Sequence, residues 1–131
     1  MKLLLDTHIA LWATLQSRSL PGKSRSLIED ADNDIAVSVA TIWEIAIKHA
    51  LARGRPDDIE IPGRTAAEIF IAAGYTILPV TALHAAAIDD LPPLHRDPFD
   101  RMLVAQARSE GMHLITHDAL LADYPVSAIV V

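Results

Sequence analysis

Four acids stand where a carboxylate could do chemistry. Asp6 closes the apolar run Leu3-Leu4-Leu5, and Asp118 follows Thr116-His117 at the end of a second apolar run. Glu44 lies inside the long segment from Val39 to Ala52, and Asp100 sits in a helical first turn opened by Asp97-Pro98. Carboxylates brought together raise one another's pKa unless a cation neutralises them, and all-oxygen ligands favour hard Mg²⁺ or Mn²⁺. Such ions activate water and stabilise charge on a phosphodiester during in-line displacement. If the four acids converge, the chemistry is metal-assisted phosphoryl hydrolysis.

Each acid also has a local alternative. Asp6 and Asp118 follow strands at helix entrances, where Asp serves as an N-cap. Glu44 precedes Lys48 by four residues, the favourable order for a helical ion pair. Asp100 lines up with Leu103, Val104 and Ala107, a face expected to pack on the sheet, where a carboxylate needs partners. With Asp97 as N-cap and Pro98 at the first position, Asp100 would also complete a variant capping box.

These positions require strands and helices in alternation. Leu3–Leu5 reads as a strand and Thr7–Leu15 as a helix, followed by a helix over Pro21–Ala31 and a strand over Ile35–Ser38. Val39–Ala52 has helical apolar spacing and is expected to stop at Gly54. Arg55–Arg64 reads as a loop, Thr65–Ala73 as a helix and Tyr75–Val80 as a strand. Ala82–Asp90 and Pro98–Glu110 read as helices, Met112–Thr116 as a strand, His117–Asp123 as a short helix and Val126–Val131 as a last strand. The alternation predicts one α/β domain over residues 1–131, three layers deep, with a mostly parallel central sheet flanked by helices. In such sheets ligands bind beyond the carboxyl ends of the strands, where Asp6 and Asp118 fall.

The chain has 131 residues, 51% of them hydrophobic, enough for one core, and no cysteine for a disulfide or thiolate zinc site. Asp6 interrupts the opening apolar run too early for a signal peptide, and Glu44, Lys48 and His49 argue against a membrane span; a cytoplasmic location is expected. The net charge of −6 weighs against nucleic acid, but a metal-binding acid cluster would account for much of it. The six histidines are scattered, with no zinc-type pair. His8 and His117 fall near the proposed site. Trp12 and Trp43 read as core residues, and Arg101 and Arg108 share a helix flank that could meet phosphates.

Together the segments Leu3-Leu4-Leu5-Asp6-Thr7-His8, Trp43-Glu44-Ile45, Asp97-Pro98-Phe99-Asp100-Arg101 and Thr116-His117-Asp118 resemble the PIN-domain family, and most closely its VapC toxins. The resemblance spans nearly the whole chain. It implies a Mg²⁺- or Mn²⁺-dependent ribonuclease, the toxic half of a toxin–antitoxin pair, with Asp6, Glu44, Asp100 and Asp118 as the catalytic, metal-binding set. It further implies Thr7 or Thr116 as supporting hydrogen-bond donors, a small cognate antitoxin, RNA as substrate and a homodimer. The extra acid Asp97 and the longer Arg55–Arg64 loop depart from the common pattern. A dehalogenase-type phosphatase would want a second Asp where His8 stands, and a receiver module would want an acidic pair and a late lysine. The remaining alternative is a PIN-like RNA-binding or signalling domain without nuclease activity.

Overall fold

The first strands of the chain are handed on to helices by capping side chains. In the computed structural model, which describes residues 1–131, β1 (Lys2–Leu5) ends at Asp6, whose carboxylate accepts from the Ile9 N–H and starts α1 (Thr7–Thr14). After α2 (Gly22–Glu29), β2 (Asp34–Ser38) ends at Ser38, whose hydroxyl accepts from the Ala40 N–H and starts α3 (Val39–Ala50). α4 (Gly63–Ala72), β3 (Thr76–Leu78) and α5 (Ala82–Ala87) follow, the last extended by a 3₁₀ turn at Ile88–Asp90. Asp97 caps α6 (Pro98–Glu110), which Gly111 closes in the left-handed conformation at φ 65°. β4 (His113–Thr116), a 3₁₀ turn at Ala119–Asp123 and β5 (Ala128–Val130) complete the chain.

The five strands form one fully parallel sheet in the order β3-β2-β1-β4-β5. Alternate residues of central β1 feed two cores. Leu3 and Leu5 pack with Ile9, Ile45, Ala66 and Phe70 from α1, α3 and α4, while Leu4 packs with Leu103, Val104 and Ala107 of α6. That burial on both faces gives the three expected layers. From β1 the chain first builds outward through β2 and β3, then returns to the other side of β1 with β4. The crevice beyond the carboxyl ends of β1 and β4 is therefore the topological switch point, where parallel sheets bind ligands.

Several boundaries differ from the sequence expectation by one to three residues, and two of them bear on how α3 and α4 pack. The helix from Val39 ends at Ala50, with the Leu51 N–H bonded to Ile47 O, and Gly54 lies beyond it in the loop at φ 79°. Gly63 belongs to α4: a Cβ there would fall 2.8 Å from Ala46 Cβ and 3.1 Å from Ile42 O, so the glycine sets how closely α4 approaches α3. No helix is long and apolar enough to cross a membrane.

Candidate metal centre

Asp6 and Asp118 leave neighbouring strands, and one hydroxyl joins them. Thr116 Oγ1 donates to Asp6 Oδ2 at 2.6 Å and accepts from the Asp118 N–H at 3.0 Å. Asp6 is 6% exposed, and burial raises its pKa even though Thr116, Ile9 and His8 pull the other way. The Asp118 carboxylate also caps the following turn through Leu120 N–H. Both acids therefore serve as caps while Thr116 ties them together at one edge of the sheet.

At the start of α6 the capping box is only half made. Asp97 Oδ1 accepts from the N–H groups of Phe99 and Asp100, but the Asp97 N–H is taken by His95 Nδ1 at 3.0 Å instead of by Asp100. His95 thereby frees the Asp100 carboxylate to face the crevice. It also fixes its own tautomer: Nδ1 accepts, so Nε2 carries hydrogen and points at Asp118 Oδ2, 3.0 Å away, and Asp100 Oδ2, 3.4 Å away. The loop bearing His95 is held by Tyr124, whose hydroxyl accepts from the His95 N–H, and by Arg101, which donates to Pro92 O and Tyr124 Oη.

Glu44 approaches from α3 and is almost wholly buried, at 3% exposed. Its Oε1 accepts from Thr7 Oγ1 at 2.5 Å, and the Thr7 oxygen in turn lies 3.2 Å from the Thr41 hydroxyl. Its Oε2 meets Lys48 Nζ at 2.5 Å. The helical pair expected from the sequence is present, but with one member in the interior, so it is no ordinary surface ion pair.

Asp6, Asp100, Asp118, His8, His95 and His117 line a cleft of about 300 Å³ with no hydrophobic lining residue. Glu44 is not among its lining residues. Atoms of His95, Asp100 and Asp118 lie within 4.8 Å of one another. Burial pushes the Asp100 carboxyl up to about 7, and Asp97, Glu44 and Asp6 add repulsion in that order, against a smaller opposing pull from His95. An acid cluster with this much unrelieved repulsion suits a cation. The donors that fit one are carboxylate oxygens, since the His95 tautomer offers no lone pair at Nε2; such a set matches a hard divalent ion.

The sequence profile of the PIN domain family matches residues 3–126. The chain belongs to the PIN domain family. The protein named Ribonuclease VapC22 of Mycobacterium tuberculosis is 31% identical over 125 residues, 92% of this chain and 90% of the relative. Among solved structures, DNA-bound VapBC from Salmonella typhimurium superposes with a TM-score of 0.70 at 16% identity, covering 99% of this chain and 98% of the other. VapBC2 from Rickettsia felis, bound to a promoter DNA fragment, gives 0.69 at 16% identity over 100% and 99%. Mycobacterium tuberculosis VapC20, described as a Sarcin-Ricin loop cleaving toxin, gives 0.57 at 18% identity over 92% of each chain. At these identities the structural likeness establishes a shared fold.

Around the acids of this PIN domain, several residues depart from the sequence expectation. Trp43 is 61% exposed rather than core, set edge-on to Phe99 at 5.1 Å between ring centres. Trp12 is partly buried between His8 and His117, at 5.7 and 5.6 Å. Arg101 is committed to the loop carbonyls and Tyr124, not to a ligand. Arg108 lies eight residues past Asp100 on α6, about 12 Å along the axis at 1.5 Å per residue. His95 was missed, and Lys48 was read only as the partner in an exposed helical ion pair, whereas its carboxylate partner is buried. The one local sign of His95 was its place two residues before a helix N-cap.

Proposed function

We propose that this PIN domain is a Mg²⁺- or Mn²⁺-dependent ribonuclease and the toxin of a VapBC-type pair, with Asp6, Glu44, Asp100 and Asp118 as its acidic catalytic set. The observation that carries the reading is the polar cleft at the switch point, lined by Asp6, Asp100 and Asp118 together with three histidines. Bound there, the ion would supply Lewis acidity and positive charge at the scissile phosphate. The chain's own residues prepare that role. Thr116 holds Asp6 and the backbone of Asp118 in one register, His95 orients Asp118 and Asp100, and Thr7 fixes Glu44. RNA is the substrate we assign, in keeping with the name of the 31% identical relative.

The partners follow from the surfaces. A second groove, lined by Leu11, Trp12, Leu15 and Ile59, carries Asp57, Asp58 and Glu60 and meets the acidic cleft at His8. Its charge favours a basic, partly apolar antitoxin segment over RNA. The apolar surface of Val39, Trp43, Val80 and Phe99 is where a second copy would close a homodimer. We take residues 1–131 as one domain and the cytoplasm as its place of action.

Inducible expression in a bacterial host tests the reading. The wild type should arrest growth and fragment cellular RNA, and Asp6→Asn at equal protein level should do neither. Unimpaired growth with intact RNA would favour an RNA-binding module without nuclease activity.

A further inference from the structure

The mismatch between Glu44 and the other three acids carries an inference that rests on the metal-centre reading and refines it. Asp6 and Glu44 both have two engaged oxygens, but their partners differ in kind. Asp6 accepts from neutral donors, the Thr116 hydroxyl and the Ile9 N–H, which leave lone pairs and the full negative charge available to a cation. Glu44 has an ammonium directly on Oε2 at 2.5 Å and the Thr7 hydroxyl on Oε1. A metal ion approaching Oε2 would have to displace Lys48 or sit against it, cation beside cation.

Placement agrees with this division. Asp6, Asp100 and Asp118 line the cleft, whereas Glu44 does not. The Lys48 side chain is 42% exposed while that of Glu44 is 4% exposed, so the lysine covers the buried carboxylate from the solvent side. Lys48 is attracted not only to Glu44 but also to Asp97 and to Asp100, and Asp100 is one of the acids that line the cleft. The His95 Nε2–H, in turn, points at Asp118 and Asp100. The acids thus have one fixed positive charge, held on Glu44, and one fixed donor, His95, among their neighbours, and the cleft of about 300 Å³ that three of them line offers space for a cation.

We propose that Lys48, seated on buried Glu44, is the centre's built-in second cation, so that this chain binds a single divalent ion through Asp6, Asp100 and Asp118. Glu44 then serves the centre by holding the ammonium in place rather than by ligating metal. The arrangement separates two jobs that a pair of ions would otherwise share: the exchangeable ion sits among the cleft carboxylates, and the lysine supplies a permanent charge next to it.

The test is Mn²⁺ titration of the metal-stripped full chain, with the ion count read by native mass spectrometry and checked by calorimetry. The wild type should saturate at one ion per chain. Lys48→Gln exposes an unpaired carboxylate and should saturate at two, while Lys48→Arg should return to one. The double variant Glu44→Gln/Lys48→Gln, which removes the buried charge together with its partner and so protects against misfolding, should also bind one. Two ions on the wild type, one ion on Lys48→Gln, or none on the double variant would each overturn the proposal. No Mn²⁺ on the wild type would instead remove the metal-centre reading on which it rests.

Discussion

Replacing Asp100 by Asn should make the metal-free protein more stable while removing its response to metal. The folded chain pushes the Asp100 carboxyl from its ordinary 3.8 to about 7, so between those pH values the folded state holds a proton that the unfolded state has released. Stability attributable to this group is therefore fully present below about pH 4 and lost as pH rises through about 7. A shift of roughly three units, at about 1.36 kcal/mol each, sets an upper bound near 4 kcal/mol. The Asp100 side chain is 21% exposed, and relaxation of its neighbours lowers the effect, so ~2–3 kcal/mol is expected at pH 8. For a domain of this length that corresponds to roughly 8–12 °C in melting temperature.

The assay is thermal and urea unfolding of wild type and Asp100→Asn in chelator, at pH 4 and pH 8. Asn cannot ionise, so the variant should be the more stable protein at pH 8 and nearly indistinguishable from wild type at pH 4. Excess Mn²⁺ at pH 8 should restore the wild type, by about 2.7 kcal/mol at a hundred times the dissociation constant, and should do little for the variant. A variant no more stable than wild type at pH 8 in chelator, or a gap unchanged by acidification, would refute the idea that repulsion and burial at Asp100 await a cation.

Three further outcomes follow from the contacts. Thr116→Val removes the donor to Asp6 and the acceptor for Asp118 N–H; Mn²⁺ affinity measured by calorimetry should fall about 10–100-fold. His95→Ala leaves the Asp97 N–H and the Asp118 carboxylate without their partner, and should weaken Mn²⁺ binding by a similar factor of about 10–100 while the circular dichroism spectrum stays native. Gly63→Ala places a methyl 2.8 Å from Ala46 Cβ; urea unfolding should show a loss of about 1–3 kcal/mol with Mn²⁺ stoichiometry unchanged.

Much of the architecture could be read from local signals because its strands and caps are local devices. Leu3-Leu4-Leu5-Asp6 and Asp97-Pro98 each announce an element boundary within a few residues, and the parallel sheet follows from the alternation. Asp6 and Asp118 could be assigned to one edge for the same reason. What the sequence hid depends on contacts between distant segments. Thr116 meets Asp6 across 110 residues, and Arg101 is claimed by carbonyls that no spacing rule reveals. The Glu44–Lys48 pair was visible at its helical spacing, but burial of Glu44 depends on Thr7 and the packing of α3 against its neighbours. Trp43 illustrates the converse: a tryptophan at a helical apolar position lies largely outside, touching α6 only edge-on through Phe99.

The central claim is tested most directly by incubating purified protein with end-labelled RNA in Mn²⁺, alongside the same reaction in chelator and with Asp100→Asn. The account predicts fragments with the wild type in Mn²⁺ alone. Equal cleavage in chelator, or by the Asp100→Asn variant, would contradict it.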